Sequence, residues 1–287
     1  MATLDNDIPT AAASAPPRRR PLGDRDLSYR ALAVVTGCVL AFLYAPIATL
    51  MIFSFNDNKV MRLPFGDWTL QWYVKAFTNP QLLAAVGNSL IVAVCALAIC
   101  LVIGIPTALA LSRYDFPGKT VFRRLVILPI TLPGIITGVS MLSFFSQLGV
   151  ELSLTTVIIG HGTAFAAIVI TSVYARLERF DRRIIEASAD LGANPLRTFW
   201  KVTLPNIRTS IIGSSLLVFT LSFDEIPVTF FLTGRDNTLP MYIWSAIRRG
   251  ITPEINAIGT VIIAVSIILI VVSAVILIQP AERRRER

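Results

Sequence analysis

Apolar residues in this chain come in long, nearly unbroken runs, not in the stripes or alternation of a water-exposed element. A helix needs about 20 mostly apolar residues to cross a bilayer. Six stretches qualify: about 31–55, 88–112, 125–146, 156–175, 211–232 and 257–279. The fourth and fifth are the least pure. The fourth carries His161, and the fifth carries Asp224 and Glu225. The pattern predicts an all-α integral membrane domain of six transmembrane helices over residues 31–279, without internal repeat or soluble domain. Residues 1–30 read as a flexible basic tail, with Pro16-Pro17 and Arg18-Arg19-Arg20. Residues 280–287 read as a second basic tail. A cleaved signal peptide is the competing reading of the N-terminus. The apolar run after Arg30 is about 25 residues, longer than the roughly 7–15 of a signal h-region.

Composition narrows the class. Of 287 residues, 54% are hydrophobic and 15% charged, and the mean hydropathy is +0.67. A soluble domain has about 25% charged residues. The net charge of +8 lacks the polar domain that a nucleic-acid binder would need to carry it. Cys38, Cys95 and Cys100 all lie in apolar runs, which argues against a disulfide framework or a metal site.

The basic residues set an orientation. With the N-terminus in the cytoplasm, 20 of the 26 Lys and Arg residues fall on the cytoplasmic side: five in the N-terminal tail, four in the loop 113–124, seven in the loop 176–210 and four at the C-terminus. Lys59, Arg62, Lys75, Arg235, Arg248 and Arg249 fall opposite. The positive-inside rule then puts both termini in the cytoplasm.

The loop 176–210 is the longest cytoplasmic connection and reads as two short helices. Asp181 can cap the first, which carries Ile184, Ile185, Ala187 and Leu191. Gly192 follows at a position that favours positive φ. Asn194 can cap the second, with Pro195 at its first position and Leu196, Phe199 and Trp200 along it. Pro205 is expected to end it.

The spacing here is specific. Glu186-Ala187-Ser188, three residues, Gly192, nine residues, then Val202-x-Leu204-Pro205 closely resembles the EAA loop of ABC importer permeases, Glu-Ala-Ala-x3-Gly-x9-Ile-x-Leu-Pro. Ser188 and Val202 are mild departures. Trp68-Thr69-Leu70-x-Trp72-Tyr73, Asn88-Ser89-Leu90, Ser222-Phe223-Asp224-Glu225 and Thr238-Leu239-Pro240 resemble the second permease subunit of spermidine/putrescine ABC transporters, over most of the chain from about residue 31. The resemblance implies a type I ABC importer permease fold in a bacterial inner membrane. It implies that Glu186, Ala187, Ser188, Gly192, Leu204 and Pro205 belong to a coupling loop that docks on a cytoplasmic ATPase. The partners expected are a second permease subunit, two ATPase subunits, a periplasmic or lipid-anchored substrate-binding protein and membrane lipid, with no nucleic acid. No cofactor is expected on this chain, and ATP with Mg belongs to the partner ATPase. Gly118-Lys119-Thr120 is not a P-loop, because Arg113 stands where the motif needs its first glycine.

Two acids inside a span need a reason. An ionised carboxylate at the bilayer centre costs several kcal/mol, so it faces the bundle interior or water. Counting about 1.5 Å per residue from residue 211 places Asp224 about 20 Å up, in the outer half. Pro227 is expected to kink the helix beside it, and broken helices near intramembrane charge mark substrate paths. Asp224, Glu225, Thr220 and Phe223 are therefore the expected path residues, suited to a cationic polyamine. Adjacent acids lie about 100° apart on a helix and need not share a cavity. The alternative is a purely structural acid pair. Phe223, Phe230 and Phe231 offer cation–π contacts, although aromatics in spans more often pack.

Span three, with Pro129, Pro133, Gly134, Thr137, Gly138 and Ser140, reads equally as a gating helix or as tight packing. His161 reads as a hydrogen-bonded packing residue rather than a metal ligand. Trp68, Trp72 and Tyr73 read as interfacial belt residues, with a docking surface as the alternative. Arg235, Arg248 and Arg249 run against the basic-residue bias and are the expected docking residues for a binding protein. The competing functions are a permease for another small solute, a self-sufficient secondary transporter and, last, a membrane enzyme, for which the acid pair lacks companions.

Overall fold

The computed structural model describes residues 22–58, 64–181, 183–250 and 253–282. The basic clusters expected at Arg18-Arg19-Arg20 and at the C-terminus, together with Lys59, Arg62 and Arg182, lie outside these residues. The described chain is almost wholly helical and divides into two units, 1–52 and 53–287.

The described residues of the first unit belong to α1 (Leu22–Phe53, with Pro46 inside it), whose last residue falls in the second unit. The helix begins at Leu22, within the segment read as a basic tail.

The second unit starts with α2 (Gln71–Thr78), a short amphipathic helix in the segment read as an outer loop. Its Trp72 is buried, and the indole Nε1–H donates to Asn56 O at 2.7 Å. Tyr73 OH and Ser54 Oγ lie 2.6 Å apart. Trp72 is therefore a structural anchor and not a belt residue, because its only polar atom is satisfied inside the protein. Trp68, by contrast, is 72% exposed.

Helix α3 (Pro80–Arg113) is longer than the expected span 88–112. Asn79 caps it, its side chain accepting from Gln81 N and Leu82 N. The buried face of α3 runs through Ala93, Ala96, Cys100, Gly104 and Ala108, at helical spacing. These small residues let α6 (Leu154–Glu178) approach closely. A β-carbon added at Gly104 would sit 2.7 Å from Val169 Cγ1, and one at Gly162 would sit 2.8 Å from Ile99 Cγ2. Between them lies a core of Cys100, Ala108, Ile168, Val169, Val173, Leu177, Ile207 and Val218.

Span three is not one helix. It is α4 (Lys119–Thr131) and α5 (Gly134–Gln147), bent by 103° at the break. Leu132 precedes Pro133 and is extended (φ −77°, ψ 141°), as the proline ring requires of its neighbour.

The loop after α6 holds α7 (Arg183–Asp190) and α8 (Pro195–Thr198). Pro205 does not end the second helix, as the sequence had suggested. A π-turn over Phe199–Thr203 carries the helix straight into α9 (Leu204–Phe223). Leu204 N–H reaches back to Phe199 O across five residues, so the wider turn absorbs the proline at the start of the next helix. The chain ends with α10 (Pro227–Leu232), α11 (Leu239–Arg249) and α12 (Pro253–Glu282). Among the described residues, four helices are long and apolar enough to cross a membrane, or five if the bent α4–α5 pair counts as one. Many large apolar side chains face outward, including Val102, Ile103, Leu216 and Leu217, which suits a lipid surround.

Candidate functional site: a broken span and a two-helix loop

The fifth span is broken at its acids. Helical hydrogen bonding continues to Asp224, whose N–H donates to Thr220 O at 3.2 Å. It cannot continue to Pro227, which has no N–H and instead opens α10. The expected kink is thus a full interruption over Asp224, Glu225 and Ile226.

The two acids part company there. Asp224 is exposed and lines a cavity of about 400 Å³ with Thr220, Phe223, Leu239 and Trp244. Among the described residues no donor engages its carboxylate. Glu225 is half-buried, and its Oε1 accepts from Val228 N at 2.9 Å, capping α10. A β-carbon built on Gly134 would lie 3.4 Å from Glu225 Oε1 and 3.0 Å from Pro227 Cβ. The breaks in spans three and five therefore meet. Gly134 and Gly138 of α5 form the contact, and a β-carbon at Gly138 would strike Phe231 at 2.8 Å. These glycines serve close packing.

Thr220 and Phe223 also border a larger apolar cavity of about 600 Å³. Phe223 stacks on Phe219 at 6.1 Å between ring centroids. Phe230 and Phe231 form an edge-on pair at 5.1 Å, and Phe231 packs on α5. His161 is fully buried, with Nδ1 2.8 Å from Ser222 Oγ and Nε2 2.9 Å from Thr229 Oγ1. It has the packing position expected of it.

Two motifs distant in sequence are joined beside this site. Asn88 Nδ2 donates to Asn237 O at 3.0 Å, and Leu239 N–H donates to Ser89 Oγ at 2.8 Å. Sequence reasoning missed Asn79, whose Nδ2 lies 2.9 Å from Tyr242 OH and 3.0 Å from Glu254 Oε1, tying α3 to α11 and α12. An Asn immediately before a helical proline was the available signal. Arg235 lies between α10 and α11, and Arg248 and Arg249 lie in the last turn of α11. All three are exposed.

The loop after α6 has the local caps and turn expected of its residues. Asp181 Oδ1 accepts from Arg183 N at 3.0 Å. Gly192 has φ +80°, Gly192 N–H donates to Ala189 O and Ala193 N–H to Ser188 O, the paired bonds of a Schellman stop. Asn194 Oδ1 accepts from Arg197 N at 2.8 Å and caps α8. Ser188 Oγ and Thr198 Oγ1 lie 3.0 Å apart, joining the two short helices. Ser188, a departure from the motif, thus has its own structural use. Glu186 and Ala187 are exposed. Leu191, at 89%, and Trp200, at 60% exposed, leave an apolar surface on the loop.

Comparison with known proteins agrees with this architecture. Residues 100–287 match the family described as binding-protein-dependent transport system inner membrane component. The chain is 38% identical over 255 residues to the putrescine transport system permease protein PotI of Escherichia coli K12, covering 86% of this chain and 90% of that protein. It is 34% identical over 239 residues to the spermidine/putrescine transport system permease protein PotC of the same strain, covering 83% and 90%. Its fold matches a bacterial ABC transporter that imports the acidic polysaccharide alginate, with TM-score 0.67 at 19% identity over 90% of this chain and 98% of that one. It also matches the MetNI methionine ABC transporter, with TM-score 0.56 at 19% identity over 67% and 92%. The chain therefore belongs to the binding-protein-dependent transport system inner membrane component family and has the fold of an ABC importer permease.

Proposed function

We propose that this chain is one of two permease subunits of an ATP-driven polyamine importer and that Asp224 lies on the translocation path. The observation that carries the reading is an unengaged carboxylate at a broken span, lining a cavity. A carboxylate that no described residue engages favours a cationic cargo, and the likeness to PotI and PotC supports putrescine or spermidine. Both termini face the cytoplasm, and six crossings complete the domain. Glu186, Ala187, Ser188, Gly192, Leu204 and Pro205 form the element that meets a cytoplasmic ATPase, where ATP and Mg act. The apolar surface at Leu191 and Trp200 supports such a docking role. Arg235, Arg248 and Arg249 are docking residues for a substrate-binding protein.

The test is labelled polyamine uptake by the complete complex at matched membrane expression. Asp224→Asn keeps the shape and removes the charge, and transport is expected to fall about tenfold or more. Glu225→Gln retains an oxygen that can accept from Val228 N–H, so it is expected to lose much less. Normal uptake by an assembled Asp224→Asn complex would overturn the role given to Asp224.

A further inference from the structure

The three-residue gap over Asp224, Glu225 and Ile226 removes the helical hydrogen bonds that would hold α10 in line with α9. The side chain that touches both sides comes from α6. His161 is fully buried (0% exposed), with its ring edge-on to Phe165 at 5.8 Å between centroids. Nδ1 reaches Ser222 Oγ, in the last turn of α9, at 2.8 Å. Nε2 reaches Thr229 Oγ1, in α10, at 2.9 Å. Thr229 Oγ1 is in turn 3.0 Å from Glu225 O, inside the break.

Donor and acceptor counts give this chain a direction. A carbonyl oxygen only accepts, so Thr229 spends its single hydroxyl proton on Glu225 O. Thr229 Oγ1 must then accept from His161, which puts the ring proton on Nε2. Nδ1 is left bare and accepts from the Ser222 hydroxyl. Both ring nitrogens are used, which leaves neither for a metal. Ser222, His161 and Thr229 are all buried, so an unmade bond here has no water to replace it. Asp224 lies between two of the attachment points, Ser222 and Glu225. A tilt of α10 would turn it.

We propose that His161, as the neutral Nε2–H tautomer, is a positioning residue that fastens α9 to α10 across the break and so fixes how Asp224 faces the cavity. The inference deepens the proposed role of Asp224 and rests on it.

The chain contains a single histidine, so ¹⁵N-histidine labelling of the full chain in nanodiscs reads one ring. At neutral pH the expected spectrum has a protonated Nε2 and a bare Nδ1. Ser222→Ala is expected to move the Nδ1 resonance, and Thr229→Val the Nε2 resonance. A ring protonated on Nδ1, or variants that move neither resonance, would overturn the relay. In the complete complex, His161→Gln, whose amide both donates and accepts, is expected to keep about half of wild-type uptake, and His161→Leu to lose about tenfold. Equal uptake by assembled Gln and Leu variants would contradict a positioning role. Should the Leu variant fail to assemble, Ser222→Ala and Thr229→Val carry the same comparison, each with a several-fold loss expected and wild-type uptake in both contradicting it. Asp224→Asn is expected to leave the ring spectrum unchanged. Failure of the Asp224 role shows in uptake alone, and failure of the relay shows in the spectrum.

Discussion

Asp224 and Glu225 are neighbours in sequence with different surroundings. One lines a cavity, with no donor to its carboxylate among the described residues, and the other caps a half-helix. The difference comes from Pro227, which stops the helical ladder and leaves backbone N–H groups at the start of α10 for Glu225 to accept. Glu225→Ala removes that cap and should cost about 0.5–2 kcal/mol of stability, read as a lower unfolding midpoint in detergent, whereas Glu225→Gln should cost less. Equal loss in the two variants would count against the capping role. Gly104 gives a second test at this scale. Its position is filled by Val169, so Gly104→Ala should destabilise by about 1–3 kcal/mol through overpacking. Gly87, also in α3, has open space around it, so Gly87→Ala should be neutral or mildly stabilising. A thermal shift of similar size in both would contradict the packing argument.

At the level of elements, the sequence conveyed apolar runs and local punctuation better than continuity. The loop between α6 and α9 was readable because its signals are local: Asp181, Gly192, Asn194 and Pro195 each act within a few residues and sit where their chemistry requires. Pro205 misled because a π-turn absorbed it, and no local rule forecasts a π-turn. Span three looked continuous because its apolar length suffices, yet Leu132-Pro133 turns the chain by 103°. Trp72 looked interfacial by residue type, and its bond to Asn56 O depends on a partner 16 residues away. Trp72→Phe keeps the packing and strands that carbonyl, so it should lower stability by about 1 kcal/mol. An unchanged unfolding midpoint would return Trp72 to the membrane interface. Gly192→Asp places a β-carbon at φ +80°, at a cost of about 1–2 kcal/mol, and alters the proposed ATPase contact. Substrate-stimulated ATPase activity in the complex should fall for this variant and for Glu186→Arg. Wild-type coupling in both would remove the loop from its assigned role.

For the whole molecule, the basic-residue bias leads to an arrangement that labelling can check. Cys38 and Cys95 are exposed and Cys100 is buried, so a clean background for labelling needs substitution chiefly at the first two. Single cysteines placed near Arg18 and Arg284 should label from the cytoplasm, and one at Lys59 from the opposite side. Labelling of either terminus from outside would invert the topology. The small-residue seam between α3 and α6 packs closely at Gly104 and Gly162, and the two broken spans meet at Gly134 and Pro227.

The most direct test of the central claim is ATP-dependent accumulation of labelled putrescine and spermidine in proteoliposomes. These would hold this chain, its partner permease and the ATPase, with binding protein added. The account predicts saturable accumulation that requires ATP and binding protein, is inhibited by either unlabelled polyamine and is unaffected by methionine. Absence of polyamine accumulation by an assembled complex that hydrolyses ATP would contradict it.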